Sequence, residues 1–195
     1  GMLKIAKKKK KDKRVKFLEG SFEKISLKNK SVNRVISTLS LHWVSSIDKG
    51  LKELKRILKP KGSIDILMIE KNDGKEFKKL VLRVMKKYLS NKQIFNAANL
   101  INRITKKELT KKFAKCFNLK NDYDLSIKIK KKLIYGSCND HVKWWKARSF
   151  QIISEIENKK LFIKNLKEEL NKFKTKKGIQ FDLNLLEIHL FKKIN

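Results

Sequence analysis

The sequence predicts a layered α/β protein with a largely parallel sheet and helices on both faces of that sheet. Apolar runs with strand character alternate with amphipathic helical patterns through the first half of the chain, as in parallel strands joined by crossover helices. Two later strand patterns lack a helix between every pair, which allows an antiparallel edge. The 195 residues are 41% hydrophobic, which is enough for one domain with a real core.

The elements of the first half follow from apolar spacing and from breaker residues. Ile47, Leu51 and Leu54 share one face of a helix, which Pro60 and Gly62 are expected to end. Strands are predicted where β-branched and apolar residues run together. In chain order the predictions are a helix over 2–11, a strand over Val15–Leu18, a strand over Arg34–Leu41, a helix over 47–58, a strand over Ser63–Glu70 and a helix over Lys75–Leu89.

The second half is mainly helical up to its last strand. Thr105 followed by Glu108 predicts a capping box at the start of a helix. Apolar and polar residues alternate over Leu125–Tyr135, as in a strand with one solvated face. The remaining predictions are helices over Ile94–Ile104, His141–Glu157 and Leu161–Phe173, and a strand over Phe181–Lys192. We expect residues 2–195 to form one α/β domain, with a mainly helical region, 92–173, inserted before the last strand.

The net charge of the chain is +32, which by itself would indicate a nucleic-acid partner. The charge is carried by lysines spread along the whole sequence, and only six of the 51 basic residues are arginines. Arginine is the residue that reads phosphate and guanine in a bidentate way. Lys, Asn and Ile share AT-rich codons, so genome composition also explains the lysines. A solvated surface and a dedicated nucleic-acid surface both stay open, and nonspecific binding at low salt is expected in either case.

Several classes of protein are not expected. No stretch approaches the roughly 20 apolar residues of a membrane helix, and the run Ile64–Ile69 is short and contains Asp65. The lysine-rich N-terminus has no apolar core behind it, so no secretory signal is predicted. Two cysteines, Cys116 and Cys138, make neither a disulfide framework nor a metal site. These features favour a soluble protein of the cytoplasm, without a metal and without a membrane partner.

Three stretches carry a resemblance to a known family. They are Phe17–Phe22, which ends in a small polar loop, Val35–Val44, which contains a strand and the loop after it, and Leu54–Gly62, which contains a helix end and a turn. In this order and spacing they resemble strand 3, strand 4 and the approach to strand 5 of the class I S-adenosylmethionine-dependent methyltransferases, of the type 11 small-molecule group. The resemblance covers about the first third of the chain, and it implies an incomplete Rossmann-like sheet.

The same resemblance also shows which features of the family this sequence lacks. That family holds S-adenosylmethionine (SAM) with a glycine-rich loop after strand 1 and an acidic residue at the end of strand 2. The seven glycines here are too far apart for such a loop, and strands 1 and 2 of the family are missing. Two structural outcomes stay open. Strand 3 pairs directly with strand 4, or the exposed strand edges pair with another chain, in a homodimer or with a separate N-terminal fragment.

The resemblance implies positions for a cofactor and a substrate. Gly20, Ser21 and Phe22 would lie beside the adenine, and Ser37, Thr38 and Leu39 would line the methionine end of SAM. His42 and Trp43 would border the substrate pocket, unless they simply pack at the start of the following helix. His42 is also a candidate general base.

A second cluster lies near residue 144. His141, Trp144 and Arg148 stand at helical spacing and share a face. An arginine beside aromatic rings suits a substrate carboxylate, so Trp144 and Arg148 are candidate substrate-binding residues. The alternative is tryptophan packing with Arg148 stacked on it. His189 alternates with apolar neighbours in a strand pattern and is expected to be structural.

These observations predict a SAM-dependent methyltransferase-like protein that acts on a small molecule, or descends from enzymes that do. Without the glycine loop, the chain alone is expected to bind SAM weakly or not at all. Two alternatives stay open, a basic nucleic-acid-binding protein that reuses the scaffold and the C-terminal half of a split methyltransferase.

Overall fold

The computed structural model describes residues 2–9, 12–98 and 103–193, apart from the side chains of Met2, Ala97, Ala98 and Arg148. Its helices are α1 (Met2–Lys8), α2 (Ile47–Ile57), α3 (Lys75–Met85), α4 (Asn91–Ala98), α5 (Lys106–Cys116), α6 (Cys138–Arg148), α7 (Phe150–Ser154) and α8 (Lys159–Asn171). Its strands are β1 (Val32–Thr38), β2 (Leu58–Ile69), β3 (Tyr123–Gly136), β4 (Lys174–Thr175) and β5 (Gly178–Lys192).

The strands form one mixed sheet in the order β1-β2-β5-β3, with the short β4 beside the start of β5. β1 and β2 are parallel, whereas β5 runs antiparallel to both β2 and β3. β1, β2 and β3 therefore point the same way and β5 is reversed. The predicted α/β class, with strands mostly in one direction, is confirmed, and the reversed strand lies between two others inside the sheet.

Helices cover the two faces of the sheet at different ends of β5. Successive side chains of a strand point to opposite faces. Leu186, Ile188 and Leu190 are fully buried in a core with α2 and α5. Ile179 and Phe181, on the other face and at the other end of the strand, are buried in a second core with α3, α6, α7 and α8. The predicted helices on both faces are present, and β5 joins two separate cores.

The strand predicted over Val15–Leu18 is wrong. Residues 12–31 contain turns and one isolated bridge, between Ser21 and Lys24. Val15 and Leu18 are 43% and 60% exposed. A short apolar run becomes a strand only where another strand offers it a ladder. Of the two outcomes left open by the sequence, direct pairing of this segment with the strand that follows it, β1, is therefore not the one found among the described residues.

Two element boundaries also differ from the prediction. One long helix over His141–Glu157 is wrong, because Ser149, with φ −118° and ψ 25°, leaves the helical conformation and separates α6 from α7. Pro60 and Gly62 lie within β2, where the register against β1 shifts, while the preceding helix already ends at Ile57. Pro60 is tolerated there because the ladder is interrupted at this shift.

The sheet ends at β1 among the described residues, since β2 is the strand that pairs with it there. Ile36, in the middle of β1, is 69% exposed, and only Ser37 of this strand is buried. An edge strand with exposed β-branched residues can add a further strand.

Candidate functional site

The strand-end loop, which we define as residues 37–43, comprises the last two residues of β1 and the five residues that follow them. The side chain of Ser37 is buried, and its Oγ has no hydrogen-bond partner among the described residues. A buried hydroxyl without a partner costs free energy, so it marks a place where a ligand or a water is expected to bind. Thr38 is exposed, and its carbonyl accepts a hydrogen bond of 2.9 Å from Ser40 Oγ.

Leu39 holds this loop in a strained shape. Its φ is +52°, a left-handed conformation that costs a residue with a Cβ of order 1 kcal/mol or more. Its N–H donates to the carbonyl of Leu67 at 2.7 Å, which fixes the loop to the end of β2, and 44% of the residue is exposed. Such strain is found at binding sites more often than elsewhere.

His42 and Trp43 lie in a short 3-10 helix, Leu41–Trp43, and differ in exposure. His42 is buried, whereas Trp43 is half-exposed, and the two ring centroids lie 5.3 Å apart. The position of His42 agrees with packing at the start of α2. Trp43 is the member of this pair that a ligand could reach.

The segment expected beside an adenine lies against a helix instead of at a strand end. Gly20 and Ser21 are exposed, and Ser21 Oγ accepts a hydrogen bond of 3.2 Å from the Glu23 N–H. Phe22 packs against the core, where its Cβ lies 3.7 Å from an ideal Cβ built on Gly50 of α2. Phe22 therefore has a structural reason to be apolar, whatever it binds.

A second candidate site lies at the carboxyl side of β2. We call it the Trp144 cavity. It has a volume of about 240 Å³ and lies among α3, α6, α7 and the first residues of β5. Its described lining consists of Asp73, Phe77, Lys78, Val81, Leu82, Met85, Ile94, Arg103, Trp144, Trp145, Ser149, Ile152 and Phe181.

Three aromatic rings form one wall of the Trp144 cavity. Trp144 and Phe181 meet edge to face with their centroids 4.8 Å apart, and Phe77 lies 5.5 Å from Phe181 and 6.2 Å from Trp144. Edge-to-face pairs of this kind stabilise each other beyond their buried area. The rings come from three elements distant in sequence, so only the folded chain builds this wall.

Charged groups line the cavity beside the rings. Arg103 Nε is buried and has no hydrogen-bond partner among the described residues. Burial lowers the pKa of Arg103, and the Asp73 carboxylate opposes that effect. Asp73 is itself buried, and its Oδ1 accepts a hydrogen bond of 2.9 Å from the Asn184 N–H. Arg103 also lines a neighbouring polar cleft with Ser45, Ser46, Ile47 and Asp48, so it stands between the cavity and the start of α2.

The structure separates the predicted second cluster into different roles. Trp144 lines the cavity. His141 is buried, with its Nε2 2.8 Å from the Ile179 carbonyl, which is a structural contact. Arg148 ends α6, and its side chain lies outside the described residues.

Sequence reasoning missed Arg103 and Asp73. Neither belongs to a motif, and 30 residues separate them. The Lys71 N–H donates to the Ile104 carbonyl at 3.1 Å, and this contact brings the two segments together. Phe77 carried a signal, since it lies on the apolar face of a predicted helix, but that signal equally indicates a core residue.

Three further observations on the described part of the chain concern metal-binding groups, membrane-spanning helices and the two thiols. No group of three or more His, Cys, Asp or Glu side chains lies close enough there to hold a metal ion. No helix described is both long and apolar enough to cross a membrane. Cys116 and Cys138 are free, and burial raises the pKa of both thiols, so they stay protonated at neutral pH.

The positions of the glycines bear on the glycine-rich loop that the resemblance implies for the cofactor. Among the described glycines, Gly74 lies in the turn between β2 and α3 and Gly136 ends β3 just before α6, and no glycine-rich turn lies beside β1. The glycine-rich turn that the resemblance implies for the cofactor therefore has no counterpart beside β1 among these residues.

Comparison with known proteins supports the resemblance over the first third of the chain. Residues 1–66 match the methyltransferase domain family. No curated protein matches the chain by sequence.

Several solved structures share the fold. The YcgJ protein of Bacillus subtilis is 16% identical, with a TM-score of 0.60, and the match covers 98% of this chain and 76% of that one. A protein of Bacillus halodurans C-125 assigned as a methyltransferase has the same identity and TM-score, with 98% and 79% covered. A loganic acid methyltransferase with SAH is 12% identical, with a TM-score of 0.61, and 90% and 66% are covered.

These likenesses establish the fold, while their low identities leave the substrate undecided. The chain spans about three quarters of the length of the two Bacillus proteins. By fold the chain is similar to these solved structures over nearly its whole length, and by sequence its first third is similar to the methyltransferase domain family.

Proposed function

We propose that this chain acts on a small molecule as part of a SAM-dependent methyltransferase. We further propose that SAM binds only when a glycine-rich strand–helix unit outside these 195 residues covers β1. The observation that carries the proposal is the open edge of β1, next to a strand-end loop with an unpartnered buried hydroxyl at Ser37.

The open edge supports a further strand on physical grounds. β1 is seven residues long, extended, and bordered by Ile36 at 69% exposure. An edge of this kind is a template for pairing with another segment, and soluble proteins usually protect it. A strand added there would end beside the strand-end loop if it ran parallel to β1. The turn after such a strand would then face Ser37 and Leu39.

A second copy of this chain is a poorer occupant than an outside unit. A homodimer would cover the edge, but the glycines of the sequence are isolated at positions 1, 20, 50, 62, 74, 136 and 178. No copy could therefore contribute a glycine-rich turn. A unit encoded elsewhere, in the same reading frame or another, would contribute both the strand and the turn.

Calorimetric titration of the 195-residue protein with S-adenosylhomocysteine tests whether the chain alone binds the cofactor. Light scattering establishes the oligomeric state. We expect no saturable heat. One-to-one binding by a verified monomer would contradict the proposal.

Co-expression tests whether a unit outside these 195 residues enables the chain to bind the cofactor. The unit translated from the DNA immediately upstream is produced together with the chain, and saturable binding is expected to appear. Ile36→Lys is expected to weaken that gain, because it places a charge beside the added strand. The matched control is Ile129→Lys, at a 43% exposed position of β3, the opposite edge strand. Equal loss in both variants, or no gain on co-expression, would overturn the proposal.

A further inference from the structure

We infer that the Trp144 cavity binds a small organic acid, with an aromatic or aliphatic body against Trp144 and Phe181 and a carboxylate paired with Arg103. This assigns the cavity a ligand class on the basis of its own lining. That this ligand is the methyl acceptor rests on the proposed function, whereas its binding does not.

The size and walls of the cavity set the body of the ligand. About 240 Å³ is the space of roughly eight water molecules at about 30 Å³ each. This suits a single ring with a short side chain. The three aromatic rings, together with Val81, Met85 and Ile152, offer an apolar surface on which such a ring gains free energy by burial.

The orphan donor of Arg103 sets the polar group of the ligand. A guanidinium with a buried Nε–H and no acceptor pays a desolvation cost that a bound oxygen would offset. A carboxylate is the acceptor whose two oxygens match the guanidinium fork. The lowered pKa of Arg103, which burial causes and Asp73 opposes, agrees with a partly buried cation that lacks full compensation.

The balance of charge in the cavity also favours an anion. Its ionisable lining groups are Asp73, Lys78 and Arg103, which leaves one net positive charge. Asp73 is engaged by the Asn184 N–H at 2.9 Å, and Lys78 Nζ donates to the Lys71 carbonyl at 3.1 Å. A cationic ligand could lie on the tryptophan faces, but it would bring no carboxylate to pair with Arg103.

Arg103 also places the polar end of the ligand. It lines the cleft formed by Ser45, Ser46 and Asp48 as well as the cavity. That cleft lies at the start of α2, directly after the strand-end loop in sequence. The carboxylate would therefore lie on the side of the cavity that faces this cleft, and the ring would lie on the side of Trp144.

A series of three matched probes tests the inference. Calorimetry or saturation-transfer NMR compares 3-phenylpropionate with the neutral 3-phenylpropanol and the cationic 3-phenylpropylamine on the 195-residue protein, without any methyl donor. We expect the acid to bind at least about tenfold more tightly than the alcohol, and the amine to bind most weakly. No binding by any probe, or preference for the amine, would overturn the inference.

Variants locate the binding within the cavity. Arg103→Gln is expected to remove the preference for the acid and leave the alcohol unchanged, and Arg103→Lys is expected to keep part of it. Trp144→Ala should weaken all three probes. Arg83→Gln, on the exposed side of α3, is the matched control. Circular dichroism establishes that each variant is folded. An acid preference that survives in folded Arg103→Gln would overturn the inference, even if SAM binding behaves as proposed.

Discussion

Phe181 packs directly onto Gly74, at the point where β2 turns into α3. An ideal Cβ built on Gly74 would lie 2.4 Å from Cζ of Phe181, which is closer than real Cβ contacts. Gly74 has φ +55°, and its N–H donates to the Asp182 carbonyl at 2.8 Å. Phe181 is 2% exposed and also lines the Trp144 cavity. The turn and the aromatic wall of the cavity therefore both require a residue without a side chain at position 74.

Gly74→Ala is expected to destabilise the protein by about 2–3 kcal/mol, because it adds both a clash and a left-handed conformation. Urea denaturation followed by circular dichroism measures the change. Gly20→Ala is the control, since its Cβ would find nothing nearer than 3.9 Å. It should change the free energy of unfolding by less than about 0.5 kcal/mol. Equal effects of the two changes would contradict the packing described.

Glu53 and Arg56 clamp the irregular segment before β1 onto α2. Glu53 accepts a hydrogen bond from the Ile25 N–H at 2.9 Å and pairs with Arg56 at 2.8 Å. Arg56 donates to the carbonyls of Ile25 and Leu27, each at 2.7 Å. The Arg56 hydrogen bond, followed by the Ile25 N–H, lowers the pKa of Glu53 from 4.5 to about 2.

This lowered pKa gives stability a defined dependence on pH. The contribution of Glu53 is complete above the unfolded pKa of 4.5 and is lost as pH falls toward the folded pKa of about 2. Glu53→Gln is expected to cost about 1–2 kcal/mol at pH 7, a figure reduced for solvent screening. The difference between wild type and variant should shrink between pH 4.5 and pH 2 in urea titrations.

The control for that pH series is Glu76→Gln. Glu76 forms an exposed pair with Lys79 on α3, with side chains 70% and 58% exposed. Exposed pairs of this kind contribute little, so the variant should follow the wild type at every pH. A Glu53 variant that also follows the wild type would show that the clamp adds no stability.

The capping box of α5 is confirmed and allows a direct test. Thr105 Oγ1 accepts from the Glu108 N–H at 3.2 Å, and Glu108 Oε2 accepts from the Thr105 N–H at 2.8 Å. Thr105→Ala is expected to lower the free energy of unfolding by about 1 kcal/mol. Thr110→Ala, within the same helix, should be neutral or slightly stabilising, because alanine is the better helix former. Thermal unfolding of both variants measures the contrast.

The charge of +32 predicts nonspecific binding of nucleic acid that weakens steeply with salt. Fluorescence anisotropy with a short duplex should show log affinity falling linearly with log salt concentration. We expect no preference among sequences at physiological salt. A preference that survives there would favour the alternative of a dedicated nucleic-acid-binding protein.

The local elements were predictable because their signals are local. The apolar spacing of α2 and the Thr105–Glu108 pair each lie within one or two helical turns, and both elements appear where expected. The strand predicted over Val15–Leu18 does not form, because strand formation depends on a partner that a sequence window does not contain. Among the site residues, Ser37 and Leu39 were found through the resemblance. Arg103 was not found in this way, because nothing near it in sequence indicates that its Nε is buried.

The sequence by itself determined the α/β class, the periodic helices and the likeness of the first third to methyltransferases. Only the tertiary structure decided that β5 lies between β2 and β3, that β1 is left at an edge, and that Arg103, Asp73 and Trp144 share a cavity. The physical reason is the range of the interactions. Helix periodicity and capping act within a few residues, whereas strand order and buried charge depend on contacts between segments far apart in the chain.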